Sequence, residues 1–283
     1  MDLVAIGHVT FDETPSGVRP GGSAYYVALA ARRLGLEVGV LTSIAPDFPS
    51  DVFPRGITVA TVSSPRTTRY RVGEAGGSRT LTLLSRAADI EIQHLPEEWK
   101  SAPLAVLCPV AGEVDPALVS AFEDASLAVL PQGWMRTRGK GGVMDPQPWE
   151  DADDVLPLTQ LLVLSEEDVP GSEEMAVKWF DQVPLGAITR ARRGATLYVN
   201  GEPYHVDPDR AAETDPTGAG DVFATTLLIE YQRVGDAWEA AAAAACAGAA
   251  TVEGTGAAAP VPSTVAAPAQ AAAAAASQAS PTR

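Results

Sequence analysis

The chain has 283 residues, with 36 acidic against 20 basic side chains and a formal net charge of −16. That surplus repels nucleic-acid phosphates and anionic lipid, so neither is an expected partner. No apolar run approaches the roughly 20 residues needed to span a bilayer.

The opening Met1–Gly7 lacks a basic leader pattern and reads as a buried first strand, which favours the cytoplasm. Further strands are expected at Val38–Thr42, Leu104–Cys108, Leu127–Leu130, Leu161–Leu164 and Leu185–Thr189. Most are continuously apolar, as in strands covered on both faces. Between them, Ser23–Leu34, Pro116–Asp124 and Glu173–Phe180 have helical character. Strands alternating with helices argue for a three-layer α/β/α domain with a mostly parallel sheet. Two stretches break the alternation. Thr67–Ser85 is half-polar and β-rich around a glycine-rich turn, a hairpin that could form a lid over the core. Ala195–Val206 folds back at Asn200-Gly201. From Gly218 the chain turns helical, with helices over Phe223–Val234 and Asp236–Val252, closed by Gly254-Thr-Gly256, and an alanine-rich stretch at Val265–Gln278.

Only three lysines occur, Lys100, Lys140 and Lys178, so an anion site must draw on arginine, backbone N–H groups or metal. Cys108 and Cys246 read as small core residues rather than a disulfide. His8, His94 and His205 do not cluster, and no zinc spacing is present.

The most informative segment is Glu213-Thr-Asp215-Pro-Thr217-Gly218-Ala219-Gly220-Asp221-Val-Phe223. Small residues at 218–220 open a helix whose first N–H groups can face an anionic ligand. A carboxylate in that turn, Asp221, weakens anion binding unless it takes a proton from an attacking hydroxyl. Its alternative role is merely to favour the helix dipole.

This segment resembles the C-terminal signature of the ribokinase-like (PfkB) carbohydrate kinases. The resemblance implies Asp221 as catalytic base, the amides of Gly218, Ala219 and Gly220 as anion hole, Thr217 near ATP, and Asp215 beside a monovalent cation such as K+. Pro20-Gly21-Gly22-Ser-Ala-Tyr-Tyr26 resembles the family's Gly-Gly turn, implying Gly21 and Gly22 at the substrate, with Tyr26 where the family often has asparagine. Asp12, in Gly7-His-Val-Thr-Phe-Asp12, matches a sugar-binding carboxylate. Ser165-Glu-Glu-Asp168 stands where the family organises Mg2+, implicating Glu167 and Asp168 through water. Thr189-Arg-Ala-Arg-Arg-Gly194 stands for an ATP-binding element, implicating Thr189, Arg190 and Gly194, with Ala191 replacing a glycine. Gln132-Gly-Trp134-Met-Arg136 leans toward the inositol-kinase-like branch, with Gln132 in a polyol pocket.

The expectation from the resemblance is one ribokinase-like domain over 1–283, with a small β lid from about 13–19 and 67–85. Its function would be ATP- and Mg2+-dependent transfer of a phosphoryl group to a sugar or polyol, inositol included. A nucleoside acceptor, stacked on Trp134 or Tyr26, is the second reading. A non-catalytic sugar or nucleotide sensor is the third. The lid could also clasp a homodimer.

Overall fold

The computed structural model describes residues 1–75, 78–169, 173–209 and 215–253. The turn glycines 76–77, the start of the signature at 213–214 and the expected C-terminal elements from 254 onward lie outside the described residues.

The chain opens with β1 (Leu3–Ile6), β2 (Thr10–Thr14), β3 (Gly17–Gly21), α1 (Ser23–Arg33), β4 (Val38–Ile44), β5 (Ile57–Ser63), β6 (Thr68–Ala75) and β7 (Ser78–Ser85). The middle holds β8 (Leu104–Leu107), β9 (Ser126–Val129), β10 (Arg136–Arg138), β11 (Met144–Pro146), α2 (Ala152–Val155), β12 (Leu161–Ser165) and α3 (Glu173–Phe180). Last come β13 (Leu185–Thr189), β14 (Ala195–Val199), β15 (Glu202–Val206), α4 (Ala219–Val234) and α5 (Ala237–Glu253).

Among the described residues the main sheet runs β15-β14-β13-β12-β9-β8-β1-β4-β5. The pairings from β5 through β13 are parallel, and β14 and β15 add an antiparallel edge. Strand alternation divides the core in two. Leu3, Ala5, Val38, Val40, Leu104 and Val106 pack with α1, α4 and α5. Val4, Ile6, Leu41, Ala105 and Leu107 pack with Phe122, Val155, Ala176 and Phe180 on the other face. Apolar side chains on both faces explain why these strands read as unbroken apolar runs.

A second sheet, β3-β2-β6-β7, stands apart from the first. The β6–β7 hairpin falls where the sequence placed it. The other half is a hairpin over Thr10–Gly21 and is longer than the 13–19 segment expected. β2 and β6 pair in parallel, so the small sheet is mixed.

Several local expectations change. Pro116–Phe122 is a 3-10 helix, begun by Asp115, whose side chain accepts from the Ala117 N–H at 3.0 Å. β5 was not anticipated: its residues are half-buried or exposed and none is fully buried, as at the edge of a sheet. Asn200 and Gly201 both have positive φ (50° and 82°), the turn that a two-residue hairpin requires. Both cysteines are free thiols. No described helix is long and apolar enough to cross a membrane.

Candidate active site

A cleft of about 1300 Å³ lies between the small sheet and the carboxyl ends of the parallel strands. This edge gathers the loops that leave β1, β8, β9, β12 and β13, which is where open α/β sheets bind ligands. Of the expected site residues, Asp12, Gly22, Tyr26, Gln132, Glu167, Asp168, Thr189, Gly194 and the run Thr217–Asp221 line it. Gly21 and Arg190 are not in the lining, and neither is Asp215.

At the helix end, Gly218 sits in the left-handed region (φ 79°) as the N-cap of α4, with no side chain capping the first turn. The Ala219 N–H turns back to the Pro216 carbonyl at 3.1 Å, and the Val222 N–H bonds the Gly218 carbonyl at 2.9 Å. The expected three-amide anion hole is therefore smaller, because Ala219 is used by its own turn. Gly218 and Gly220 N–H have no hydrogen-bond partner among the described residues. A Cβ on Gly220 would meet nothing within 4 Å, so no protein neighbour demands glycine there; the open space faces the cleft. Asp221 is in the first turn of α4, half-buried and on the cleft wall. Burial, with the charges of Asp221 and Glu113, pushes the Cys108 thiol up, so this cysteine stays protonated.

Asp215 lies just before this turn. Its carboxylate, expected beside a monovalent cation, is paired with the Arg19 guanidinium of β3. The Thr217 N–H also donates to it at 3.0 Å. Burial works against its ionisation, but the hydrogen bonds from Arg19 and Thr217 prevail and lower its pKa to about 2.

At the other end, Asp12 on β2 is buried, and the Thr10 hydroxyl donates to it at 2.7 Å. The two glycines have reasons internal to the fold, beyond the substrate approach expected of them. A side chain on Gly21 would collide with the Asp12 carboxylate, and Gly22 has φ 91° against the His8 carbonyl. Gln132 donates to the Ser23 hydroxyl at 2.8 Å, which joins the β9 loop to the start of α1. Trp134, a candidate base-stacking residue, is core instead: it stacks on Trp149, and its ring N–H donates to the Val114 carbonyl.

The expected Mg2+ and ATP elements are rearranged. Asp168 closes a capping box with Ser165, accepting from its N–H at 2.9 Å, while its other oxygen accepts from Arg136 at 2.7 Å. Both oxygens are thus committed to protein donors, which leaves Glu167 as the exposed carboxylate of that element. Arg190 turns to Thr196 (3.3 Å) and Glu166 (3.8 Å), and Arg193 also pairs with Glu166. Arg192 instead lines the cleft. Ala191, in place of a glycine, takes φ 48°. No group of three metal-ligating side chains occurs among the described residues.

Sequence reasoning missed Thr10, Ser23, Tyr70 and Arg19. Tyr70 lines the cleft and donates to the Val110 carbonyl at 2.6 Å; burial pushes its pKa up, so it stays a neutral donor. Arg19 was discoverable in principle, since a hairpin over Thr10–Gly21 puts it opposite Asp12.

The family model described as "pfkB family carbohydrate kinase" matches residues 16–264. A cytidine kinase of Thermococcus kodakarensis is 26% identical over 257 residues, covering 82% of this chain and 89% of that protein. A pyrophosphate-dependent kinase in the ribokinase family, complexed with a pyrophosphate analog and myo-inositol, superposes with a TM-score of 0.77 at 20% identity, covering 93% of this chain and 98% of the other. A protein from E. coli described as a ribokinase II, bound to ATP and Mg2+, gives a TM-score of 0.67 at 19% identity, covering 92% and 96%.

Proposed function

The chain belongs to the pfkB family of carbohydrate kinases, and from that premise we propose that it transfers the γ-phosphoryl group of ATP to a hydroxyl of a small polyol or sugar. The carrying observation is that one cleft holds both a helix end, where the Gly218 and Gly220 N–H groups have no partner among the described residues and Asp221 stands beside them, and a polar end built from Asp12, Ser23 and Gln132.

Asp12 accepts hydrogen bonds from acceptor hydroxyls, with Ser23 and Gln132 beside it. Asp221 takes the proton of the reacting hydroxyl as its oxygen bonds to the γ-phosphorus. The bond from that phosphorus to the β–γ bridging oxygen breaks, and ADP leaves with the electron pair. The N–H groups of Gly218 and Gly220 and the amino end of α4 stabilise the charge on the transferring group. Glu167, the exposed carboxylate of its element, would help hold Mg2+ through water, and the ion would supply positive charge to offset that of the donor phosphates. No potassium role is assigned to Asp215, whose charge Arg19 already balances.

The choice of ATP over pyrophosphate is supported by apolar residues in the lining of the same cleft, Ala195, Pro208, Phe223, Ala245, Ala249 and Val252, a surface suited to a base and of no use to pyrophosphate. A nucleoside acceptor is the second reading, favoured by the Tyr26 and Tyr70 rings at the acceptor end.

A panel of myo-inositol, ribose, cytidine and inosine, each with ATP or pyrophosphate, tests both choices. Transfer to a polyol or sugar from ATP supports the main reading, transfer to a nucleoside the second, and transfer from pyrophosphate alone overturns the donor assignment. Asp221→Asn should lower kcat by about 10²–10⁴-fold with Tm nearly unchanged. Full activity in that variant would remove Asp221 from the reaction. Ligand binding without turnover in the wild type would point to a sensor.

A further inference from the structure

Arg19 is not explained by either end of the cleft alone. In the β2–β3 register it lies directly opposite Asp12, so the two side chains share one face of the small sheet. Its guanidinium then leaves that sheet to reach residues 196 and 198 positions away in the chain. It pairs with Asp215 and donates to the Thr217 hydroxyl at 2.8 Å. Thr217 closes the unit by donating its own N–H to Asp215, and the next residue is Gly218, the N-cap of α4.

We propose that Arg19 is a positioning residue that couples acceptor binding at Asp12 to the shape of the donor's anion site at Gly218–Gly220. The proposal rests on the kinase reading above for the identity of the two ligands. An acceptor seated on Asp12 holds the small sheet against the cleft. That seats Arg19 on Asp215 and Thr217 and fixes the turn leading into the helix end. When the small sheet moves away, the turn loses two charge-assisted donors at once and the amides of Gly218 and Gly220 are no longer held in register. The pair is well placed to act this way. Arg19 and Asp215 are 34% and 20% exposed, so their attraction is screened less than that of a fully exposed pair. Hydrogen bonding to Asp215 also holds the guanidinium proton more tightly than usual.

The test uses the full chain and the variants Arg19→Gln, Arg19→Lys and Asp215→Asn. Amide hydrogen exchange without ligand should be faster over residues 215–223 in Arg19→Gln and Asp215→Asn, and near wild type in Arg19→Lys. Unchanged exchange in both Arg19→Gln and Asp215→Asn overturns the proposal. Calorimetry with AMP-PNP as donor probe, and myo-inositol and cytidine as acceptor probes, reads the coupling directly. In the wild type a bound acceptor should tighten AMP-PNP at least fivefold, the low end of ordinary coupling between sites. Arg19→Gln should bring that factor below twofold, and Arg19→Lys should restore part of it. Absence of tightening in the wild type, or its persistence in Arg19→Gln, overturns the proposal. A purely structural role would lower Tm and weaken both ligands while leaving the coupling factor intact. If the wild type binds no probe, the kinase reading fails, and the exchange measurement still decides whether Arg19 holds the turn.

Discussion

Asp215 and Asp221 bracket one turn, and their surroundings separate their roles. Asp221 faces the cleft from the first turn of α4. Asp215 is tied to Arg19 and Thr217, which lower its pKa from 3.8 to about 2. A carboxyl whose folded value lies below its unfolded value stabilises the fold at pH above the unfolded value. That contribution fades as pH falls through the folded one. The stability advantage of wild type over Asp215→Asn should therefore be complete at pH 5 and largely gone near pH 2. With solvent screening it should be on the order of 1 kcal/mol. Urea unfolding of both proteins at pH 5 and pH 3 checks this, and an advantage that grows toward low pH would contradict the assignment.

Elements meet at the carboxyl edge of the sheet through Glu113, a carboxylate only 1% exposed. It accepts from the backbone N–H of His8 at 2.8 Å, of Val110 at 3.0 Å and of Ala111 at 2.6 Å, joining the loops after β1 and β8. His8 extends the link to the small sheet. Burial lowers its pKa, so it is neutral. Its Nε2–H faces the Ala88 carbonyl at 2.9 Å, which leaves Nδ1 to accept from the Thr68 hydroxyl at 2.7 Å. Glu113→Ala would strand two buried N–H groups, of His8 and Val110, and the part-buried one of Ala111. The expected loss is about 3 kcal/mol or more, read as a lower urea midpoint. A loss below about 1 kcal/mol would mean that water or a shifted loop replaces the carboxylate.

The charge of −16 belongs to the whole molecule, and it opposes the approach of an anionic donor. Arg192 at the cleft is local compensation and acts only at short range. Raising ionic strength from 10 to 150 mM shortens the screening length from about 30 Å to about 8 Å. That should remove the long-range repulsion and leave contacts inside the cleft. The donor KM should fall about two- to threefold over this range in tetramethylammonium chloride, whose bulky cation excludes effects of small bound ions. A KM that rises steadily would show that the cleft arginines dominate even at long range.

The sequence alone determined the parallel sheet, the β6–β7 and Asn200-Gly201 hairpins, and the helix that opens at Gly218–Asp221. Each of these is written in neighbouring residues: an apolar run, a turn pair, small residues opening a helix. The half-polar pattern of β5 was too weak to read, since this edge strand buries its apolar residues only partly, Ile57 and Val59 on one face and Ala60 and Val62 on the other. Tertiary structure decided what depended on distant partners. Asp168 became a cap paired with Arg136, Arg190 turned to Glu166, Trp134 entered the core, and Asp215 met the Arg19 guanidinium. A side chain's charge is local, but what neutralises it is set by strand register and by loops that converge from far along the chain. No spacing in the sequence encodes that convergence.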